Sequence, residues 1–262
     1  MCYRLIKTII MLKVIKLGSS SLHNGEKPRL QIFESIAAQI FDDQNLGKTH
    51  ILVSSGAIAF GAVALGQSID RADVHGSQVQ ASVGQPLLMD EWAKAFTLFG
   101  KHVGQVLVTP QELKVGSKRN DPMVKGVLLG MIKQGIVPIV NENDSVAADE
   151  IKLGDNDQLA ARVGLAVGAG SVHLLGTAGA VFSDYPSNQT RIKDISLANF
   201  VGVEDVCQPT NDPQAVGGMT TKLEAARLFL DAPQKALYVA SAEEPYAIVE
   251  AEIGKIGTKI AT

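Results

Sequence analysis

A chain of 262 residues, 46% apolar and 19% charged with a formal net charge of −3, is long enough to bury a substantial core. Nothing in it suggests disorder, a nucleic-acid surface or a polybasic membrane anchor, so neither nucleic acid nor membrane is expected as a partner. Cys2 and Cys207, its two cysteines, are too few and too far apart for a disulfide framework or a structural zinc site, which points to a reducing compartment, the cytoplasm.

The chain opens with MCYRLIKTIIMLKVIKLG, whose longest uncharged segment is far below the ~20 apolar residues of a membrane span and which has no small-residue cleavage site. Met11 directly precedes a strand-like run, so residues 1–10 read as an N-terminal extension. Apolar β-rich runs follow at intervals: LKVIKL (12–17), HILVSS (50–55), GQVLVT (104–109), GIVPIV (135–140), SVHLLG (171–176) and KALYVAS (235–241). Helix-compatible stretches separate them at 30–41, 77–99, 123–134, 157–167 and 218–231. Short, nearly continuous apolar strands alternating with helices are the pattern of a parallel sheet covered on both faces. The expected fold is therefore α/β, a three-layer αβα sandwich with a mainly parallel central sheet. No linker, charge block or repeat divides the chain, so residues 11–262 are expected to form a single domain. Its two lobes should meet at a cleft rimmed by the least regular segments, 114–122, 176–194 and 204–217.

In such a sheet, ligands gather at the carboxyl ends of the strands, where loops enter helices whose exposed N–H groups favour anions. The first strand ends in KLGSS, where Gly18 permits close backbone approach, Ser19 and Ser20 offer hydroxyls and Lys16 can project a cation. A plain turn with Lys16 reaching solvent is an equal alternative. The second ends in SSGAIAFG, which a simple N-cap serine half explains. The fourth ends in NEND, and DND follows at 155–157, directly before QLAARVGLAV. Asp and Asn are favoured helix caps and turn formers, but one cap uses one side chain and here there are several more. The spacing is not that of an EF-hand, and amides combined with carboxylates suit a substrate bearing both an ammonium and a carboxylate. Near the C-terminus, AVGGMTTKLEAARLFL sets two glycines and two threonines at a helix start. Met219, Leu223, Ala226 and Leu230 recur there at helical spacing and read as core. Lys222 lies on another face of the first turn, where a cation opposes the positive helix terminus unless a phosphate binds; a solvated surface lysine is the alternative.

With KLGSS, SSGAI, VGQ, VPIVNENDSVAADEIKLGDND and GGMTTKL in this order, the chain resembles the glutamate 5-kinases of the amino-acid kinase family. The likeness runs from about Leu12 to the end, where GKIGTKI looks like the family's final strand. It implies ATP-dependent phosphorylation of the γ-carboxylate of L-glutamate, the first step of proline biosynthesis, with ATP and Mg²⁺. Lys16 and Lys222 match the lysines that contact the transferring phosphoryl group, and Asp157 the aspartate that orients them. Ser55, Asp144 and Asn156 match glutamate-binding positions, with Gly56, Asn141, Lys152 and Asp155 beside them. Gly18, Ser19, Gly217 and Gly218 match phosphate-binding backbone, and Gly176, Thr177 and Met219 complete the nucleotide side. No protein ligand for the metal is assigned. The family likeness also implies an N-terminal half for the amino acid and a C-terminal half for the nucleotide, a homo-oligomer (dimer or tetramer), feedback inhibition by proline, and glutamyl phosphate reductase as a partner.

Two departures fall on the nucleotide half. Gly176 and Thr177 stand where the family has Thr-Asp, and Val216 stands where it has a threonine before the paired glycines. The chain also stops where many relatives continue into a C-terminal PUA domain. Two other readings stay open: a different small-acid kinase of the same fold, and a catalytically weak binding protein that keeps the amino-acid pocket.

Overall fold

A computed structural model describes residues 12–70, 72–109, 112–113, 121–146, 156–184, 187, 190–196, 199–200, 202–203, 218–231 and 234–262. Its strands are β1 (Leu12–Leu17), β2 (Thr49–Ser54), β3 (Val103–Val108), β4 (Val137–Glu142), β5 (Ser171–Gly176), β6 (Val181–Phe182), β7 (Arg191–Ile192), β8 (Asp194–Ser196), β9 (Ala236–Ser241) and β10 (Thr258–Ala261). Its helices are α1 (Ser19–Leu22), α2 (Leu30–Asn45), α3 (Ala57–Leu65), α4 (Val74–Thr97), α5 (Asp121–Lys133), α6 (Asn156–Val167), α7 (Met219–Phe229) and α8 (Ala247–Glu252).

Eight strands form one sheet in the order β3-β4-β2-β1-β5-β9-β10-β8, parallel except that β10 runs against β9 and pairs in parallel with β8. From β1 the chain builds the β2 side first and crosses to β5 only after β4. The carboxyl ends of β1, β2 and β5 are thus the point where the winding reverses, the usual ligand crevice of an open α/β sheet.

Every residue of β1 is buried, as a central strand between two helical layers requires. Its alternate residues serve two cores. Leu12 and Val14 pack with Val53, Val140 and Leu174 against α6 and α7, while Ile15 and Leu17 pack with Leu52, Ile139 and Leu175 against α2, α4 and α8. Two lysines interrupt the pattern, and each faces one layer. Lys13 sits among the second set, with Nζ 2.7 Å from Asp43 Oδ2 and 2.6 Å from Glu252 Oε1. His50 Nε2 lies 3.0 Å from Asp43 Oδ2, and His173 Nε2 3.3 Å from Glu252 Oε1. Burial holds both imidazoles below their usual pKa despite these carboxylates. Burial would raise Glu252, but His173 and Lys13 outweigh it and hold the carboxyl down to about 2.

Helices α3 and α4 meet backbone to backbone at Gly61 and Gly84. A Cβ on Gly84 would fall 1.8 Å from Ala57 O, and one on Gly61 1.8 Å from Gln80 O, so only glycine permits this approach. The segment expected to be irregular at 176–194 contains an antiparallel β6–β7 pair. Thr258 Oγ1 accepts from Val181 N at 2.9 Å and donates to Ile192 O at 2.6 Å, tying that pair to β10. Two-residue strands carry no hydrophobic period, so nothing in the local pattern announces them.

Candidate active site

Lys16 is the penultimate residue of β1 and points to the α6–α7 layer. Asp157, in the first turn of α6, is fully buried and lies between two cations: Oδ1 is 2.7 Å from Lys16 Nζ and Oδ2 is 2.8 Å from Lys222 Nζ. Thr221, on α7, donates to Gly218 O at 2.9 Å and lies 3.3 Å from Asp157 Oδ2. Lys16 and Lys222 are 5% and 6% exposed, so the alternatives of a lysine reaching solvent are corrected: neither is a surface residue. Burial alone would raise the pKa of Asp157, but the two lysines outweigh it and hold the carboxyl at about 2. The carboxylate is a fixed anion at any working pH. It also removes the conflict of a cation at the start of α7, because the partner charge sits at the positive terminus of α6.

Two glycines lie against this triad. A Cβ on Gly18 would sit 3.9 Å from Lys16 Nζ, and one on Gly176 would sit 3.9 Å from Lys222 Cε. Gly18 N donates to Leu175 O at 3.3 Å and Ser55 N to Leu17 O at 3.0 Å, which sets the ends of β1, β2 and β5 side by side. Gly56 follows Ser55 with φ 122° at the start of α3, a backbone region that disfavours any side chain.

Beside the triad runs a row of amides. Asn156 Nδ2 donates to Ser55 Oγ at 2.7 Å and to Asn141 Oδ1 at 2.9 Å. Asn141 Nδ2 donates to Gln85 Oε1 at 2.9 Å, and Gln85 Nε2 to Gln105 Oε1 at 3.0 Å. Asn141, Asn156 and Gln85 are 3%, 9% and 8% exposed, so the row is a buried polar network. The paired clusters of Asn and Asp are therefore more than caps: Asn141 and Asn156 bond each other across β4 and α6. The VGQ motif occurs at 83–85 and at 103–105 and so contains Gln85 and Gln105, but the pattern assigns neither a role.

Of the remaining residues expected here, Asp144 is half-buried in the turn after β4, which Asn143 N anchors by donating to Val108 O at 2.8 Å. Ser19 is half-buried at the start of α1, Thr177 is exposed just beyond β5, and Gly218 caps α7. Met219 packs against the α6–α7 core. Lys152, Asp155, Val216 and Gly217 lie outside the described residues.

Chemically, the arrangement offers two buried ammonium groups held apart by one carboxylate, next to a set of neutral hydrogen-bonding groups. It contains no activated nucleophile. It suits stabilising charge on a group transferred between two bound substrates.

The chain matches the amino acid kinase family over residues 11–241. It is 37% identical to a glutamate 5-kinase of Thermus thermophilus over 215 residues, 82% of this chain and 58% of that protein. It is 36% identical to those of Cutibacterium acnes (95% of this chain, 63% of that protein) and Enterococcus faecalis (94% and 92%). The chain thus spans about three fifths of the length of the Thermus and Cutibacterium relatives. In fold it is similar to carbamate kinase from Giardia lamblia bound to AMP-PNP, with a TM-score of 0.67 at 17% identity over 96% of this chain and 98% of that one. It is likewise similar to UMP kinase from Bacillus anthracis, with a TM-score of 0.62 at 15% identity over 96% of both chains.

Proposed function

The chain belongs to the amino acid kinase family, and from that premise we propose that it transfers the γ-phosphoryl group of ATP to the γ-carboxylate of L-glutamate. The product is L-glutamyl 5-phosphate, and the reaction is the first step of proline biosynthesis. The observation that carries this reading is the buried Lys16–Asp157–Lys222 triad set against the Ser55–Asn156–Asn141 amide row. The relatives of 36–37% identity supply the substrate.

A carboxylate is already ionised at neutral pH and needs no base. One of its oxygens forms a bond to the γ-phosphorus as the bond to the β-bridging oxygen breaks, and ADP leaves with that electron pair. Charge on the transferred group grows near Lys16 and Lys222, which are preorganised to meet it. Asp157 holds both lysines in place, so it organises rather than reacts. The missing side chains at Gly18 and Gly176 leave room for phosphate oxygens beside the two lysines. Gly218, Met219, Gly217 and Ser19 complete the nucleotide side. Ser55, Gly56, Asn141, Asp144, Asn156 and Asp155 hold the amino acid.

Among the described residues no cluster of His, Cys, Asp or Glu could hold a metal, and both Asp157 oxygens face lysines. Mg²⁺ would come with the nucleotide, whose phosphate charge it would offset when bound. The exposed row Val79, Val83 and Leu87 on α4 supports self-association as a homo-oligomer. No helix among the described residues is long and apolar enough to cross a membrane; the low cysteine count and the use of ATP support a cytoplasmic reaction. The acyl phosphate product is reactive towards water, which favours handing it to a reductase.

The test is purified protein with ATP, Mg²⁺, L-glutamate and hydroxylamine. Glutamate-dependent hydroxamate is the expected result. Product from other small acids but not from glutamate would overturn the substrate. Glutamate binding without product or ADP from any acid would overturn catalysis.

A further inference from the structure

One backbone group fixes the polarity of the whole amide row. A peptide N–H can only donate, so the Asn141 atom 2.9 Å from Glu142 N is its oxygen. The Asn156 atom facing that oxygen is therefore its nitrogen, and its second hydrogen goes to Ser55 Oγ. Both donors of Asn156 are used, and among the described residues nothing donates to its oxygen. Ser55 Oγ accepts from Asn156, which leaves the hydroxyl proton to point elsewhere. On the other side Asn141 turns its nitrogen to Gln85, and Gln85 turns its own to Gln105.

We propose that Gln85 is a positioning residue of the amino-acid site, acting through Asn141 to present an acceptor on Asn156 and a hydroxyl donor on Ser55. The inference rests on the amino-acid reading of this site. An acceptor and a donor held side by side suit an α-amino acid, with its ammonium on Asn156 Oδ1 and its carboxylate on Ser55. Gln85 is buried, and its neighbours in the chain deny it freedom. Gly84 packs backbone to backbone on α3, and Pro86 fixes the helix on the other side. Without the Gln85 carbonyl, the Asn141 amide has a buried donor with no acceptor and turns away, taking the orientation of Asn156 with it.

The test compares Gln85→Met, which removes the acceptor at similar volume, with Gln85→Glu, which keeps one. Gln85→Met is expected to raise KM for L-glutamate about tenfold, as for one lost buried hydrogen bond, with kcat and KM for ATP within about twofold. Gln85→Glu stays within about threefold for KM. Gln105→Leu, at an exposed position, should move KM for glutamate in the same direction by about threefold, and this variant decides the matter if Gln85→Met does not fold. Unchanged glutamate KM in both Gln85→Met and Gln105→Leu overturns the proposal. So does equal damage from Gln85→Glu and Gln85→Met, or a fall in kcat with KM untouched. Wild-type protein that makes no glutamyl hydroxamate overturns the proposed activity instead. Positioning is then read on the free protein by NMR, where the Asn156 side-chain amide protons should exchange with solvent about tenfold faster in Gln85→Met. Equal exchange rates overturn it.

Discussion

Replacing Asp157 with Asn keeps the shape of the triad and removes its one negative charge. The two lysines lie 2.7 and 2.8 Å from the carboxylate oxygens, so each loses an attraction of about 6 kcal/mol at an effective dielectric of about 20. Desolvation had offset much of that, and removing one partner of a buried ion pair costs about 3–5 kcal/mol net. For a chain of this size the melting temperature should fall by about 6–20 °C. The site passes from two ammoniums with one carboxylate to two ammoniums alone, so ATP should bind as tightly or more tightly. Turnover should nevertheless fall on the order of 10²-fold or more, because the lysines repel each other out of the geometry that meets the transferred group. KM for glutamate should stay within about threefold, since the amide row is untouched. Coupled ADP release with ATP and glutamate varied in turn, and melts in the same buffer, reads these quantities. A kcat within about threefold of wild type, or a tenfold rise in glutamate KM at unchanged kcat, would refute the reasoning.

Lys222→Ala should lower kcat on the order of 10²-fold or more, as for loss of one preorganised donor, and near-normal turnover in the same assay would refute its role. Gly84→Ala forces a Cβ into contact with Ala57 O and should lower the melting temperature by about 2–12 °C, read by calorimetry, with no effect if α3 and α4 can simply separate. Urea denaturation across pH should show stability lost in two stages. His50 and His173 have folded pKa values below 6.5, so the unfolded chain takes protons first and stability declines as pH falls below that value. Asp157 and Glu252, held at about 2, add a second loss as pH falls below about 4.5. His173→Gln should flatten the first stage, and an unchanged slope would remove His173 from this account. Val83→Glu should shift the mass seen by light scattering towards the monomer if the α4 row joins copies, and an unchanged oligomer would exclude that face.

Sheet and site were legible to different depths, for physical reasons. The run SVHLLG at 171–176 and LKVIKL at 12–17 are strands with the same bounds in the structure, because a strand buried on both faces is marked by continuous apolar sequence. GIVPIV was read as 135–140, whereas β4 spans Val137–Glu142. Asn141 and Glu142 are polar strand residues, Asn141 bonded to Asn156 at the site, and a hydrophobic pattern ends before them. The family likeness pointed to Lys16, Asp157 and Lys222, but sequence alone left both lysines balanced between site and solvent. Only the fold shows that one carboxylate holds both. Gln85 lies in one of the two VGQ copies, but its role stayed illegible because its partners are 20 and 56 positions away, on strands with which α4 shares no local pattern.

Strand β1 also bears on how the molecule finds its register. Lys13 and Lys16 differ by three positions, so they face opposite layers, and each meets carboxylates that wait on one side only: Asp43 and Glu252 for the first, Asp157 for the second. A slip of one residue against β2 would turn Lys13 towards α6 and α7 and Lys16 towards α2 and α8, burying two ammoniums without counter-ions and bringing four aliphatic side chains to the wrong core. The two charges thus act as a proofreading device during assembly. The misaligned sheet is the expensive one, and the residue that serves the chemistry helps to reject it.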